Sequence, residues 1–444
     1  QQKFNTSLNM IRIFLFIFFG FPFAAHSPHL RDLIGFVDGI VHAMYVDSMN
    51  NELYVGGTFQ HAGGIFSSCI AKWDSIQWTS IGNDTIKGHP DVRCIVKFNG
   101  EIIVGGYFDS IGMVRMNNIS RWDGIRWSPM GSGFSDGVLT LIEYRGELYA
   151  GGAFRFSGND TLRYFAKWNG NSWVQLPGLT NLNYEVYAFC IYDSLLIVGG
   201  YFNSIPAIAN SSRLVAFDGV NWLSMNSPFN DLILTLDIIQ DTLYAGGGFT
   251  SYPGAPSNYL SKYNGQYWEA IPYPTGGTNW ITDMTSYHNQ FVVCGYFENP
   301  EDLGMFNGTS FDSIGSATGF IYRTCVYKDE LYVAGGFSEV GGLITGSIGR
   351  FDNIQLSSAP NFTNTSALTL FPNPVTTNTF RIESPLYPID KISVTITNLM
   401  GQSMKINKIN NTVYINNLSS GAYFANFYNQ GCYFKTIRLI VELP

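Results

Sequence analysis

The sequence predicts an all-β chain: a sevenfold repeat of short four-stranded sheets, then a second, smaller β domain. Two observations predict it. The first is the phrase Gly-Gly-x-Phe closing a short apolar strand, which returns at Phe59, Phe108, Phe154, Phe202, Phe249, Phe297 and Phe337, 40 to 49 residues apart. The copies run from LYVGGTF to LYVAGGF, and the sixth, FVVCGYF, has Cys294 in place of a glycine. The second is an aromatic phrase after each copy: IAKWDSIQW at 70–78, ISRWDGIRW at 119–127, FAKWNGNSW at 165–173, and so on to IGRFDNIQL at 348–356, which has lost its last aromatic. A strand-built period of this length means a propeller or a solenoid.

One repeat favours the propeller. VLTLIEY (138–144) is apolar and β-prone and reaches a turn at Arg145-Gly146 before ELYAGGAF; YFAKW (164–168) then meets Asn169-Gly170 and NSWVQL. Asp-Gly and Asn-Gly supply the positive φ angles of a tight type I′ hairpin. On that reading Trp122 pairs with Ile125, and Trp127 with Ser120, across a two-residue turn. Each repeat is then a four-stranded antiparallel meander that cannot bury both faces alone, whereas seven packed radially can. The expectation is a seven-bladed β-propeller over residues 28–356. The opening DLIGFVDGIVHAMYV resembles the stretch PMGSGFSDGVLTLIEY between two repeats, so residues near Leu33 are expected to lend a strand to the seventh blade and latch the ring.

These residues resemble kelch-type propellers, including their secreted bacterial relatives: a diglycine ends the second strand and aromatics stand at fixed spacing in the third and fourth. The resemblance covers roughly residues 30–356 and implies the fold. It implies little about activity, because such folds host unrelated functions.

The two ends point to export. From Met10, one arginine precedes IFLFIFFGFPFAA and a small-residue stretch ending at Ser27; this reads as a secretory signal peptide, with the residues before Met10 upstream of it. The alternative, an uncleaved anchor, is disfavoured by the shortness of the apolar run and by Pro22. No transmembrane span is expected in the mature protein. SSAPNFTNTSA, at 357–367, is polar and reads as a linker. Strands such as TFRIES and KISVTITNL follow, with the alternation of a half-buried sheet, and predict a small Ig-like β-sandwich over 367–444.

That segment resembles the C-terminal sorting domain of type IX secretion cargo. Pro372-Asn373-Pro374 corresponds to the family's opening motif, Gly401 to its glycine turn, Leu418-Ser419-Ser420-Gly421-Ala422-Tyr423 to its L-x-x-G-x-Y step and Lys435 to its late basic position. The ending VELP departs from the basic residue common there. The resemblance implies the type IX secretion machinery as a partner, removal of this domain, and a product released or held at the cell surface.

Composition narrows the partners. With 45% hydrophobic and only 13% charged residues the chain has ample material for a large core. Its net charge of -8, with no basic cluster, lacks the electrostatic footprint of nucleic-acid binding. Six cysteines in an exported chain could form three disulfides, but they are scattered with no C-x-x-C, which favours small buried hydrophobes with free thiols. The six histidines form no i, i+4 pair and no H-E-x-x-H, and no nucleophile elbow, phosphate loop or zinc motif appears. No cofactor, metal or catalytic residue is expected.

The repeated aromatics read as blade-to-blade packing rather than as a glycan platform, and the diglycines as close-packing positions. Subtracting the repeat leaves Trp280, which stands outside the frame that holds the other eight tryptophans. Aligned on the repeat, its counterparts are Asp91, Gly137, Glu185, Leu232 and Phe320. First strands line a propeller's channel, so Asp91, Glu185 and Trp280 are expected to ring one mouth, suited to a cation or a sugar; the alternative is a solvated loop with a packed tryptophan. The segment from each GGxF phenylalanine to the next frame aromatic is 14 residues in five repeats, 15 in one and 9 in another, with none of the extended loops on which enzymes place chemistry. The leading expectation is an exported, non-catalytic propeller binding protein or glycan near the bacterial cell surface. A secreted glycan-acting enzyme with its site in the channel mouth, and a structural surface protein, are the alternatives.

Overall fold

The computed structural model describes residues 29–31, 36–179, 182–203, 205–250, 259–271, 280–288, 290–296, 302–306, 311–352, 369–371, 375–383, 392–398, 403–415, 418–429 and 432–441. The signal-peptide reading, the linker, Leu33, Pro372, Asn373, Pro374 and Gly401 lie outside them. Among the described residues every helix or strand assigned is a β-strand.

Seven four-stranded antiparallel sheets succeed one another along the chain. The first is the meander Val41–Asp47, Glu52–Gly57, Ile70–Trp73 and Trp78–Ser80. The next five repeat it, with first strands at Asp91–Phe98, Val138–Tyr144, Val186–Tyr192, Ile233–Ile239 and Trp280–Tyr287. In the seventh, Phe320–Tyr327, Glu330–Gly336 and Ile348–Asp352 take their fourth strand from His29–Arg31, with His29 opposite Asp352 and Arg31 opposite Arg350. That strand lies just before the expected position near Leu33.

The second strands, such as ELYVGG, are buried almost throughout rather than alternately, because both faces of each sheet are covered by its neighbours. Each cover is a hydrophobic cluster shared by two consecutive sheets: Ile70 of the first packs with Val92 and Ile102 of the second, and Phe165 of the third with Val198 and Phe217 of the fourth. The succession returns on itself, since Val41, Leu53 and Trp73 of the first sheet share a cluster with Tyr332, Ala334 and Ile348 of the seventh. The first strand of every sheet lies against that of the next, and the seventh's against the first's.

The hairpins differ from the sequence reading. Trp122 pairs with Trp127, not Ile125, so the Asp-Gly loop holds four residues. Asp123 explains the change: its Oδ1 accepts the N–H groups of Ile125 and Arg126, each at 2.8 Å, and closes a side-chain turn in which only Gly124 takes a positive φ. The two-residue turns with both central residues left-handed join first and second strands instead, as at Asn99-Gly100 and Arg145-Gly146. The longer loop sets the frame aromatics directly opposite one another. Trp73 and Trp78, Trp168 and Trp173, and Tyr263 and Trp268 each have ring centroids 5.2 Å apart. The fourth-strand indoles also tie sheet to sheet: Trp173 donates to the carbonyl of Met130 at 3.2 Å and Trp268 to that of Met225 at 3.0 Å.

Residues 369–441 contain two more four-stranded antiparallel sheets. Phe380, Ile382 and Val413 from one and Val394, Ile396 and Leu439 from the other share a single core. The L-x-x-G-x-Y step feeds it: Leu418 and Tyr423 are buried, and the Tyr423 hydroxyl donates to the carbonyl of Ser419 at 3.0 Å. Gly421 opens the strand Gly421–Asn429, and Lys435 lies in Cys432–Val441 opposite Phe427.

Candidate functional site

Every first strand of the seven sheets carries a β-bulge at its second or third residue, opposite the diglycine in five sheets, Cys294-Gly295 in the sixth and Ala334-Gly335 in the seventh. In the first sheet Val41 pairs with Gly57 and Ala43 with Gly56, leaving His42 unpaired. By the same register Arg93, Leu139, Tyr187, Leu234, Thr282 and Tyr322 are the extra residues of the other six. The glycines make room for this. A Cβ on Gly57 would stand 1.9 Å from the carbonyl oxygen of Ile40, just before the bulge, and one on Gly56 would stand 2.5 Å from Val92 Cγ1 of the next sheet. One glycine therefore serves the bulge and the other the sheet-to-sheet contact.

A bulge re-aims the side chain it frees. Here all seven freed side chains, one from each sheet, line one cavity of about 230 Å³, joined by Trp280 and Arg323. Asp91 braces one side: its Oδ1 receives His42 Nδ1 at 2.7 Å and its Oδ2 receives Arg93 Nε at 2.6 Å. Burial alone would raise the Asp91 pKa, but its bonds to His42 and the charges of His42 and Arg93 hold it below the ordinary carboxylate range. Burial pushes His42 down, against the pull of Asp91. The His42 and Tyr322 rings are 5.0 Å apart. Burial, followed by the charge of Glu185, pushes Tyr187 up to about 12 and keeps its phenol protonated. Arg323 donates from Nη1 to the carbonyls of Tyr322 at 3.0 Å and Thr282 at 3.3 Å.

The three residues read from the sequence are placed differently from one another. Trp280 lines the cavity and is 52% exposed. Asp91 is 9% exposed and engaged on both oxygens, a brace rather than an open rim carboxylate. Glu185 is half-buried and outside the cavity lining; its carbonyl accepts the N–H of Tyr201 at 2.9 Å beside the bulge. Sequence reasoning missed His42, Arg93, Tyr187, Tyr322 and Arg323. The available signal was an offset: in each repeat the bulged residue stands two positions after the aligned rim residue, Arg93 after Asp91, Tyr187 after Glu185 and Thr282 after Trp280.

Among the described residues no cluster of three or more His, Cys, Asp or Glu side chains could hold a metal ion. Cys69, Cys94, Cys190, Cys294 and Cys325 are free thiols, and burial pushes Cys69 and Cys190 up to about 12. Among the described residues no helix is long and apolar enough to cross a membrane.

Residues 369–442 match the family model of the secretion system C-terminal sorting domain. The protein therefore carries a type IX sorting signal and is secreted to the cell surface or outside the cell, which involves that secretion machinery. No curated protein matches the chain. Similar solved structures include the extracellular domains of a putative one-component system and of a putative hybrid two-component system from B. thetaiotaomicron. They are 11% and 12% identical, with TM-scores of 0.44 and 0.45, and cover 94% of this chain. The chain spans 60% of the length of each.

Proposed function

We propose that this is an exported, non-catalytic binding protein in which residues 28–356 form a seven-bladed, kelch-like β-propeller and residues 367–444 deliver it. The propeller reading is supported by seven like sheets whose shared clusters run from each to the next and from the seventh to the first. The binding reading rests on one observation: the residue displaced by each of the seven bulges opens onto one common cavity. That cavity, on the axis of the proposed ring, receives a glycan or a protein segment, with Trp280 at its entrance. Its lining offers guanidinium groups, aromatic rings and hydroxyls, the furniture of recognition, rather than the facing carboxylates of glycoside hydrolysis.

A glycan and polysaccharide array probed with the full chain, scored for both retained protein and released product, tests this. The expected result is retention without product, lost in Trp280→Ala and kept in Glu185→Ala. Product release, or retention untouched by Trp280→Ala, overturns it.

A further inference from the structure

Resting on the axial-cavity reading, we infer that the ligand's anchor is a carboxylate carried on one sugar ring, so that the cavity seats a uronate residue of an acidic glycan. Two guanidinium groups from different sheets, Arg93 and Arg323, line the cavity. Asp91 offsets only one of them: its Oδ2 takes Arg93 Nε at 2.6 Å, and its Oδ1 is occupied by His42 at 2.7 Å. Among the described residues Arg323 has no carboxylate within ion-pair distance, and Nη1 is held by two backbone carbonyls. Arg323 feels the charge of the buried Asp283, but no ion pair joins them, so its guanidinium lines the cavity without a direct counter-ion.

A single guanidinium with no ion-paired partner matches a monoanionic carboxylate, which its planar fork binds bidentately, better than a phosphate dianion. The other lining groups suit the ring that carries it. Trp280 and Tyr322 line the cavity with aromatic rings, the partners of a pyranose C–H face, while Leu139 and Leu234 exclude water without offering a partner. The volume of about 230 Å³ is below the range of about 300–1,000 Å³ typical of drug-sized ligands, so it fits one ring rather than a run of them.

Calorimetric titration of the full chain with oligosaccharides ending in glucuronate or galacturonate, and with their neutral glucose and galactose counterparts, tests the assignment. The uronates are expected to bind about tenfold tighter or better, with a preference that shrinks as salt rises. Arg323→Met should abolish the preference. Arg323→Lys, which keeps the charge and loses the fork, should cut it severalfold with an unchanged melting temperature, which separates recognition from folding. Equal affinity for acidic and neutral sugars, or Arg323 variants that bind like the parent, overturns the uronate assignment and leaves the cavity reading standing if Trp280→Ala still blocks binding. Tighter binding of a glutamate-rich peptide or a sugar phosphate also overturns it. If no sugar binds to protein with an intact melt, the cavity reading falls and the assignment with it.

Discussion

The hydroxyl of Tyr327 donates to the backbone carbonyl of Asn51 at 2.6 Å, joining the seventh sheet to the first across 276 residues of sequence. Tyr144 makes the same bond to the Ser194 carbonyl, also at 2.6 Å, between the third and fourth sheets. The contact that completes the cycle is thus made like one inside it. Tyr327→Phe and Tyr144→Phe should each cost about 1 kcal/mol in urea unfolding. A cost at Tyr144 with none at Tyr327 would mean that the first and seventh sheets do not meet in solution.

The diglycine positions separate two kinds of glycine. Gly57→Ala sets a methyl group against the Ile40 carbonyl and should cost about 3 kcal/mol or more, because backbone, not a side chain, is in the way. Gly124 has open space around it and a φ of 96°, so Gly124→Ala should cost only about 1–2 kcal/mol of backbone strain. Equilibrium unfolding of the two variants side by side checks the order.

Tryptophans inside and outside the repeat frame should part in the same assay. Trp173, 1% exposed and donating to Met130, should lose about 3–5 kcal/mol on truncation to alanine. Trp280→Ala should stay within about 0.5 kcal/mol of the parent while losing ligand. A large stability loss at Trp280 would recast it as packing.

Two groups on first strands make stability depend on pH in opposite senses. Burial, with a further push from Asp283, raises Asp237 to about 7. The folded chain then holds a proton that the unfolded chain releases near its ordinary value of 3.8, so this contribution is fullest in acid and declines as pH rises through about 7. Asp237→Asn should flatten that decline and gain about 1–3 kcal/mol at pH 8. His42, lowered by burial, works the other way. The unfolded chain takes up a proton below its ordinary value of 6.5 that the folded chain resists, so stability falls as pH drops below about 6.5. His42→Gln should soften the acid limb. Denaturant midpoints from pH 4 to 9 read both.

The periodic part of the fold was legible because it is local. The diglycine phrase placed the second strands and the aromatic phrase the third and fourth, and the ring pairs follow from that spacing. The turn at Asp123-Gly124 was misread because dipeptide preference does not reveal that the carboxylate takes two N–H groups and lengthens the loop. The cavity was less legible still. Trp280 was found as an exception to the pattern, yet Arg93 and Arg323 join it at or beside bulges, which face glycines such as Gly57 where a Cβ would meet the backbone just before the bulge. Asp91 was read as an open carboxylate because the sequence does not show that His42, 49 positions away, occupies it.

The seven bulges have a consequence for how such a cavity can change over time. Each bulged residue is unpaired in the ladder, so exchanging it costs no strand pairing, although His42 and Thr282 also bond to the next sheet. His, Arg, Leu, Tyr, Leu, Thr and Tyr make a seven-letter word, written one letter per sheet, on a scaffold that reads the His and the Thr through their bonds to the next sheet. Selection can respell that word a letter at a time, and a close relative with the same repeat frame could recognise an unrelated ligand after very few substitutions.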